Sequence, residues 1–339
     1  MGFFLASEKA RITVTDVARS CGVAASTVSR VLNGDMTFSV RPKIRERIRI
    51  VARELNYRPG LAARSLRARK TNLIAILGRR DIPTTSGLSI HATSRLVSYL
   101  HDAGYDAVVT YPNRHREQRH LPAWRIDAAV MQDVYDPAVW TELEQAGVPY
   151  VSMNGLWGAS GWSVSVDDRD NVRQAMDHIL HLGHRRVAYL RGQRGSKNHP
   201  SVTIRKEAYL GHLAQAGLSP LFVEGETDPV RMLTNTVVEN QATAILAYDH
   251  LTAIDLLSAA WQLGLSVPRD FSLVCFNDVF PVAQMTPPLT TVALPGEEMG
   301  LRTGELIVAR VKGTKSIQSQ HVILPGKLIV RASTASINE

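Results

Sequence analysis

The chain has 339 residues, of which 45% are hydrophobic and 21% charged, and its formal net charge is +8. At about 100–200 residues per domain, this length predicts two or three domains, and the ordinary composition excludes wholesale disorder, collagen and coiled coil. The two cysteines, Cys21 and Cys275, lie far apart and make no disulfide scaffold. The sequence has no apolar run long enough to span a membrane, and its apolar start (2–6) is too short for a signal peptide. We therefore expect a cytoplasmic protein.

The positive charge is confined to the first fifth of the sequence. Residues 1–70 hold 15 Lys and Arg against 5 Asp and Glu, a balance of +10, whereas the other 269 residues hold 24 against 26, a balance of −2. A solvated basic tail would lack apolar periodicity, and this segment has it. The asymmetry therefore favours a polyanionic partner, with nucleic acid ahead of anionic lipid.

Residues 13–57 carry the apolar pattern of three short helices. Thr15 is expected to cap the first helix and Gly22 to end it, after which Val23 starts the second. Pro42 suits the first position of the third helix. The predicted apolar faces comprise Val17, Ala18 and Cys21, then Val28, Val31 and Leu32, then Ile44, Ile48, Val51, Ala52 and Leu55. Two short helices joined by a tight glycine turn are typical of a helix-turn-helix unit.

The following segment, 60–70, is helix-prone but short and strongly basic. An isolated helix of this length is marginal in water, so we interpret the segment as a linker that becomes helical on a phosphate surface. A plain flexible linker is the alternative.

From Leu73 onward, apolar strands alternate with amphipathic helices. The predicted strands are 73–77, 106–111, 128–132, 150–154, 186–190, 244–248 and 272–276. The predicted helices lie near 87–103, 137–146, 169–182, 202–216, 229–240, 250–263 and 297–311. This alternation predicts parallel sheets covered on both faces. The segments 144–154 and 262–277 are also similar to each other, and each has a predicted strand that ends in or next to Asn. This similarity, an internal echo, predicts Asn154 and Asn277 at strand carboxyl ends, where open sheets bind ligands.

The sequence TVTDVARSCGVAASTVSRVLN (13–33) closely resembles the DNA-binding headpiece of the lac repressor family. The resemblance continues through LNYRP (55–59) and AARSL (62–66), and it resumes in HILHLGHRRVAYLRG (178–192), RKEAY (205–209), GLSVPRDFSLVCFND (264–278) and TPPLTT (286–291). It implies an α/β protein with an all-α N-terminal headpiece: a three-helix helix-turn-helix domain, a hinge helix, and a two-lobed periplasmic-binding-protein-like body of doubly wound parallel sheets. The implied domains are a headpiece (1–59), a hinge (60–70) and a body (71–339), with a first lobe of 71–166 plus 295–339, a second lobe of 167–294, and three crossovers between the lobes.

The resemblance also implies which residues contact DNA. Ala25, Ser26 and Arg30 match the positions that reach base edges, where Arg can pair bidentately with guanine. The positions that hold the phosphate backbone match Thr13, Thr27, Ser29 and Asn33, and Leu66 matches the hinge leucine that wedges into the minor groove. The remaining implied DNA contacts are Thr15, Tyr57 and Arg67. Paired hinge helices imply a homodimer on a palindromic operator in double-stranded DNA.

The residues implied for a small-molecule effector, a sugar or related metabolite, lie between the lobes. They are Ser86, Ser89, Gln132, Asp133, Asn154, Arg205, Tyr248, Asn277 and Leu294. Tyr248 and Leu294 depart from the small or polar residues that are usual in sugar-responsive relatives. We therefore expect a pocket that is narrower or more apolar than a typical sugar site.

Catalytic and metal chemistry are not expected. The sequence carries no Gly-x-Ser-x-Gly elbow, P-loop or Gly-x-Gly-x-x-Gly fingerprint, and we predict neither an enzyme nor a cofactor. His178, His181 and His184 are spaced by three, but Gly183 interrupts their helix face, so a metal site is not favoured. Cys275 is read as an inert core thiol and residues 191–197 as a basic surface loop. The hypothesis is thus a DNA-binding regulator that acts as a repressor and is associated with the nucleoid. The alternatives are a solute-binding protein for transport, an effector-independent regulator, and a sugar- or nucleoside-processing enzyme.

Overall fold

The computed structural model describes residues 12–32, 38–57, 70–78, 87–111, 125–192, 198–223, 226–313 and 321–337. The chain divides into two compact units, Met1–Thr71 and Asn72–Glu339. The predicted hinge helix and the predicted contacts Asn33, Leu66, Arg67 and Ser86 lie outside the described residues.

The first unit contains three helices around a small apolar core. The helices are α1 (Val14–Cys21), α2 (Ala25–Leu32) and α3 (Pro42–Glu54). Every residue of the predicted apolar faces belongs to this core or packs against it. Gly22 ends α1 with φ +66°, a left-handed conformation that glycine adopts without strain.

Two predicted helix starts in this unit are wrong. The cap of α1 is Thr13 rather than Thr15, because the Asp16 carboxylate accepts hydrogen bonds from both the backbone N–H and the hydroxyl of Thr13, at 2.9 and 2.7 Å. The second helix begins at Ala25 rather than Val23. The Val23 N–H instead donates to Ala18 O, closing the turn between the helices.

The second unit contains two six-stranded sheets, which define its two lobes. The first sheet is wholly parallel, with the order β11-β5-β4-β3-β1-β2. Its strands are β1 (Leu73–Leu77), β2 (Asp106–Thr110), β3 (Ala128–Gln132), β4 (Tyr150–Met153), β5 (Trp162–Val166) and β11 (His321–Leu324).

The second sheet has the order β12-β10-β9-β8-β6-β7, and only β12 runs antiparallel to its neighbour. Its strands are β6 (Val187–Leu190), β7 (Leu221–Val223), β8 (Ala244–Ala247), β9 (Ser272–Phe276), β10 (Thr290–Ala293) and β12 (Lys327–Ile329). The doubly wound two-lobed body implied by the resemblance is therefore present, although the sequence patterns do not predict β5, β7, β10, β11 or β12.

Helices cover the faces of both sheets. They are α4 (Gly87–Asp102), α5 (Pro137–Gln145), α6 (Asp168–His181), α7 (Pro200–Gln215), α8 (Pro229–Leu233) with a π-helical turn (Thr234–Glu239), α9 (His250–Leu263) and α10 (Gly296–Lys312). In the first lobe, α4 and α10 pack so closely that a Cβ at Gly300 would lie 2.1 Å from the Ala92 carbonyl oxygen. Their apolar faces join the strands in one core, which includes Leu96, Met299 and Ile307.

The chain passes between the lobes three times, as predicted, but the predicted end of the first lobe is wrong. The passages follow β5, β10 and β11, and the last one returns the chain to the second sheet instead of leaving 295–339 in the first lobe. There β12 pairs with β10, and the Ser333 hydroxyl donates to Leu273 O at 2.6 Å. Since β10 pairs with β9 on its other edge, β12 supplies the hydrogen-bonding partner that β10 would otherwise lack.

Candidate functional site: a helix-turn-helix surface and an interlobe cleft

The second helix of the first unit presents a polar face. Ser26 and Arg30 are exposed, while Val28 and Val31 are buried against the other helices. Residues four apart lie on the same side of a helix, so Ser26 and Arg30 form one accessible pair. The other predicted contacts on this helix, Ala25, Thr27 and Ser29, are partly buried.

Arg30 rests on an aromatic ring that the sequence analysis missed. Its guanidinium carbon lies 4.8 Å from the centroid of the Phe38 ring, a distance at which the cation is attracted to the ring face. The Phe38 carbonyl accepts a hydrogen bond from Arg45 Nη2 at 2.9 Å, which ties this residue to α3. Phe38 thus positions Arg30; no helical periodicity signals the pairing, because Phe38 lies between α2 and α3 and not in either helix.

The remaining predicted contacts of this unit have local partners. The hydrogen bonds from Thr13 lower the pKa of the Asp16 carboxyl, so the Thr13 hydroxyl proton is engaged when that carboxylate is charged. The Thr15 side chain is exposed. Tyr57 is partly buried against the core, and its backbone N–H donates to Ala52 O at 2.8 Å.

In the second unit, polar residues follow the carboxyl ends of neighbouring strands. Asp133, Asn154 and Asn277 come directly after β3, β4 and β9, with φ of +52°, +55° and +75°. Asn and Asp tolerate this left-handed conformation better than most residues, and it turns the chain at the strand end. The placement of Asn154 and Asn277 predicted from the internal echo is confirmed.

Asp133 accepts hydrogen bonds from several side chains of the first lobe at the cleft. Its carboxylate accepts hydrogen bonds from Ser89 Oγ at 2.9 Å and from Asn154 Nδ2 at 2.7 Å. Gln132 instead faces α4, where its Oε1 accepts from Thr93 Oγ1 at 2.7 Å and its Nε2 donates to Ser89 O at 3.3 Å. The structure therefore gathers Ser89, Asp133 and Asn154 at the cleft, while the Gln132 amide fixes the α4 backbone behind them.

Arg205 is buried in the second lobe, with 4% of its surface exposed. Its Nε donates to Asp168 Oδ1 at 2.6 Å and its Nη1 to Tyr248 O at 2.8 Å, and its guanidinium lies 4.1 Å from the centroid of the Phe276 ring. Asp168 was not predicted. Its position in the first turn of α6 reads from sequence as a helix-terminal charge.

A chain of contacts joins the two lobes through residues that the sequence analysis missed. His199 Nε2 lies 3.9 Å from Asp133 Oδ1, and the His199 ring meets the Tyr135 ring edge-on at 5.2 Å. His199 Nδ1 accepts the Ser201 backbone N–H at 3.0 Å, so in the neutral ring the proton is on Nε2, facing Asp133. Ser201 Oγ in turn lies 2.7 Å from the Tyr248 hydroxyl. The sequence His199-Pro200, a cap before a helix-starting proline, was the available signal.

Asn277 and Leu294 lie at a separate part of the cleft. Asn277 Nδ2 is 3.3 Å from His250 Nδ1. Asn277 and Leu294 line a cavity of about 200 Å³ whose other walls include Leu88 and His91 of α4. Ligand pockets commonly measure about 300–1,000 Å³, so this cavity is small.

The histidines near the end of α6 have structural partners. His178 Nε2 lies 3.0 Å from Thr334 Oγ1, and the two His184 nitrogens lie 3.0 Å from Thr243 Oγ1 and Ser272 Oγ. In the described ranges, no cluster of three or more His, Cys, Asp or Glu side chains could hold a metal ion. No helix in the described part of the chain is both long and apolar enough to cross a membrane.

Comparison with known proteins identifies the first unit by its sequence. The family model of bacterial regulatory proteins of the lacI family matches residues 13–60. Residues 13–60 are thus a lacI-family segment. A model of the periplasmic binding protein-like domain matches residues 176–334 of the same chain. The lacI family comprises DNA-binding transcription regulators, not enzymes.

Relatives along the whole chain agree with this assignment. Catabolite control protein A of Staphylococcus xylosus is 26% identical over 95% of this chain and 99% of its own length. The repressor PurR of Erwinia tasmaniensis is 28% identical over 95% of this chain and 97% of its own length. The lac repressor dimer bound to operator and an anti-inducer has the same fold, with a TM-score of 0.80, 23% identity, and coverage of 96% of this chain and 99% of that one.

Proposed function

We propose that this lacI-family regulator is a homodimeric repressor that binds a palindromic operator through residues 1–59 and a hinge at 60–70. Its operator affinity responds to a small molecule bound between the lobes of residues 71–339. The protein acts in the cytoplasm, at the nucleoid. The observation that carries the proposal is the exposed pair Ser26 and Arg30 on α2, in a segment that holds all of the excess positive charge.

In DNA binding, Arg30 and Ser26 would contact bases, and other side chains of this unit would contact the phosphate backbone. Arg30 can donate two hydrogen bonds to guanine O6 and N7 in the major groove, while Ser26 accepts more than one base. Ala25 offers a methyl contact, and the proposed backbone contacts are Thr13, Thr15, Thr27, Ser29, Asn33 and Tyr57. In the hinge, Leu66 would part the central base steps and Arg67 would follow the minor groove.

The sensory part rests on the polar groups at the strand ends. Asp133 and Asn154 can hydrogen-bond ligand hydroxyls from one lobe, while Ser89, Arg205, Tyr248, Asn277 and Leu294 complete the proposed surroundings. Gln132 lies behind them, and Ser86 is the remaining member of the proposed set. Relatives named for ribose operon control and the regulator CelR solved with cellobiose support a sugar-like effector. Because Asp133 meets His199 of the other lobe at 3.9 Å, a ligand there would alter lobe closure.

The dimer part rests on α4. Ile90 and Val97 lie seven residues apart, hence on one side of the helix, and they are 53% and 37% exposed. Two exposed apolar side chains on one helix face suit an interface with another protein surface, and each half of a palindromic operator would be bound by one copy of the chain.

Fluorescence anisotropy with genomic fragments tests the function. We expect tight binding. The logarithm of the association constant should fall linearly with the logarithm of the salt concentration, with a slope of about −0.9 for each phosphate neutralised. A transport protein would show no such affinity, and an effector-independent regulator would bind DNA equally with every ligand tried. Leu66→Ala should weaken operator binding and leave ligand binding intact; equal operator affinity would contradict the hinge role.

A further inference from the structure

Arg191 lies at the carboxyl end of β6, beside the aromatic ring that also carries Arg205. Its guanidinium carbon is 5.5 Å from the centroid of the Tyr248 ring, and that of Arg205 is 5.1 Å from the same centroid. Tyr248 follows β8, the neighbour of β6 in the sheet. Two arginine side chains therefore converge on one buried tyrosine at the strand ends.

The two arginines differ in their partners. Arg205 is neutralised by Asp168, whereas Arg191 Nε and Nη2 are buried and meet no hydrogen-bond acceptor among the residues that the structure describes. The carboxylates nearby are engaged elsewhere: Asp168 by Arg205, and Asp249 by the Thr252 N–H of α9 at 2.7 Å. A buried charged donor without an acceptor is costly, so the site is incomplete without an anion.

The electrostatic environment agrees with this geometry. Burial raises the pKa of the Tyr189 phenol, and both Arg205 and Arg191 oppose that rise, which places the two positive charges around the same interior polar group. Residues 191–197 are predicted to be a basic surface loop, and Arg191 is indeed partly exposed, but its Nε and Nη2 atoms are buried. The sequence cannot reveal this, because Tyr248 is 57 positions away.

We propose that Arg191 binds an anionic group of the effector, a carboxylate or a phosphate. This inference rests on the proposed sensory function. A planar guanidinium with adjacent Nε and Nη2 donors matches two oxygens of either group. Asp133, at the first-lobe side, repels an anion and suits hydroxyls. The effector therefore has a charged end at Arg191 and a hydroxyl-bearing end at Asp133 and Asn154, as in a sugar acid or a sugar phosphate.

The test compares charged and neutral forms of one sugar. The melting temperature of the full chain is measured with glucose, gluconate, glucose 6-phosphate and inorganic phosphate at matched ionic strength. The variants are Arg191→Gln, Arg191→Lys and the control Arg269→Gln, which removes a surface arginine of the same lobe paired with Asp270. Calorimetry gives the Kd of each probe that raises the melting temperature.

We expect at least one anionic probe to stabilise the wild type and Arg269→Gln more than glucose does. Arg191→Gln should weaken that probe about tenfold or more, and Arg191→Lys should weaken it less. Gluconate and glucose 6-phosphate separate a carboxylate site from a phosphate site. Without ligand, Arg191→Gln should melt no lower than the wild type, because it removes an unpaired buried charge; a lower melting temperature would mean that Arg191 is structural.

Other results overturn the inference and separate it from the proposed function. Stabilisation by glucose alone, equal in Arg191→Gln, would refute the anionic class and leave the sensory cleft intact. No stabilisation by any probe would overturn the anion site, and DNA binding by anisotropy would then decide independently whether the regulator function stands.

Discussion

His199 of the second lobe points its Nε2 at Asp133 Oδ1 of the first lobe, 3.9 Å away. The imidazole is held in that direction from behind by the Ser201 N–H on Nδ1 and from the side by the Tyr135 ring. A polar pair of this kind exists only when the lobes are near each other, so the distance between these two atoms depends on closure of the cleft.

His199→Asn should open the cleft without unfolding the protein. Asn caps helices well, so the stability of α7 should change by less than about 1 kcal/mol, but its shorter side chain cannot reach Asp133. Small-angle scattering should give a larger radius of gyration than the wild type. His212→Asn is the control, since His212 pairs with Asp177 inside the second lobe. Identical scattering from all three proteins would rule out this role for His199.

The support of Arg30 by Phe38 predicts that loss of either residue affects the same base pair. Arg30→Ala should cost about 1–3 kcal/mol at the cognate operator and relax base preference there. Phe38→Ala should shift the same preference by a smaller amount, and it should leave the salt dependence unchanged because no charge is removed. Anisotropy on operators substituted one base pair at a time provides the measurement. Unaltered preference in Phe38→Ala would show that the ring does not position Arg30.

The buried pair of Arg205 and Asp168 predicts a large stability effect. Arg205→Ala leaves the Asp168 carboxylate buried without its partner, which should cost about 3–5 kcal/mol in urea unfolding. Adding Asp168→Asn should restore much of that loss, because it removes the unpaired charge. If the single variant loses no stability, the pair is not closed in solution. Loss of ligand binding in Arg205→Ala must therefore be judged against Arg205→Lys, which keeps the charge.

The buried histidines predict a loss of stability in mild acid. Burial lowers the pKa of His184, with Arg185 adding to the effect, and burial also lowers the pKa of His178. The unfolded chain therefore takes up protons at a higher pH than the folded one, so stability falls as the pH drops through about 6.5, the ordinary value for histidine. Melting curves at pH 7.5 and pH 5 should differ less in His184→Gln than in the wild type or in the exposed control His101→Gln. An equal pH slope in all three would contradict the assignment.

Much of the fold was predictable from local pattern. The apolar runs at β1, β3 and β9 match the predicted strands residue for residue, and the predicted α9 has the observed limits. The strands that escaped prediction are short or partly polar, such as β10, where Thr290 Oγ1 donates to Arg331 O at 3.1 Å. Such a strand is defined by a neighbour 41 residues away, and no local periodicity records that pairing.

The cleft was predictable at its strand ends and not at its bridges. Asn154 and Asn277 carry a local signal because each turns the chain after an apolar strand. Arg191, His199 and Asp168 gain their roles from partners distant in sequence, and the identity of those partners follows from the tertiary packing of the two lobes. The sequence pattern thus predicts the asparagines at the strand ends, whereas the pairing of the charged residues depends on tertiary packing.

The three passages of the chain between the lobes have a consequence for biosynthesis. During synthesis the first sheet remains incomplete until α10 covers its apolar face and β11 (His321–Leu324) adds its edge strand. The second sheet remains incomplete until β12 (Lys327–Ile329) is made. Nascent domains fold as units once their residues have emerged. Here both lobes are completed by the same segment, which contains β11 and β12. A message truncated before codon 321 therefore yields a polypeptide with two unfinished lobes, exposed to proteases and to aggregation, instead of one intact lobe and one missing one.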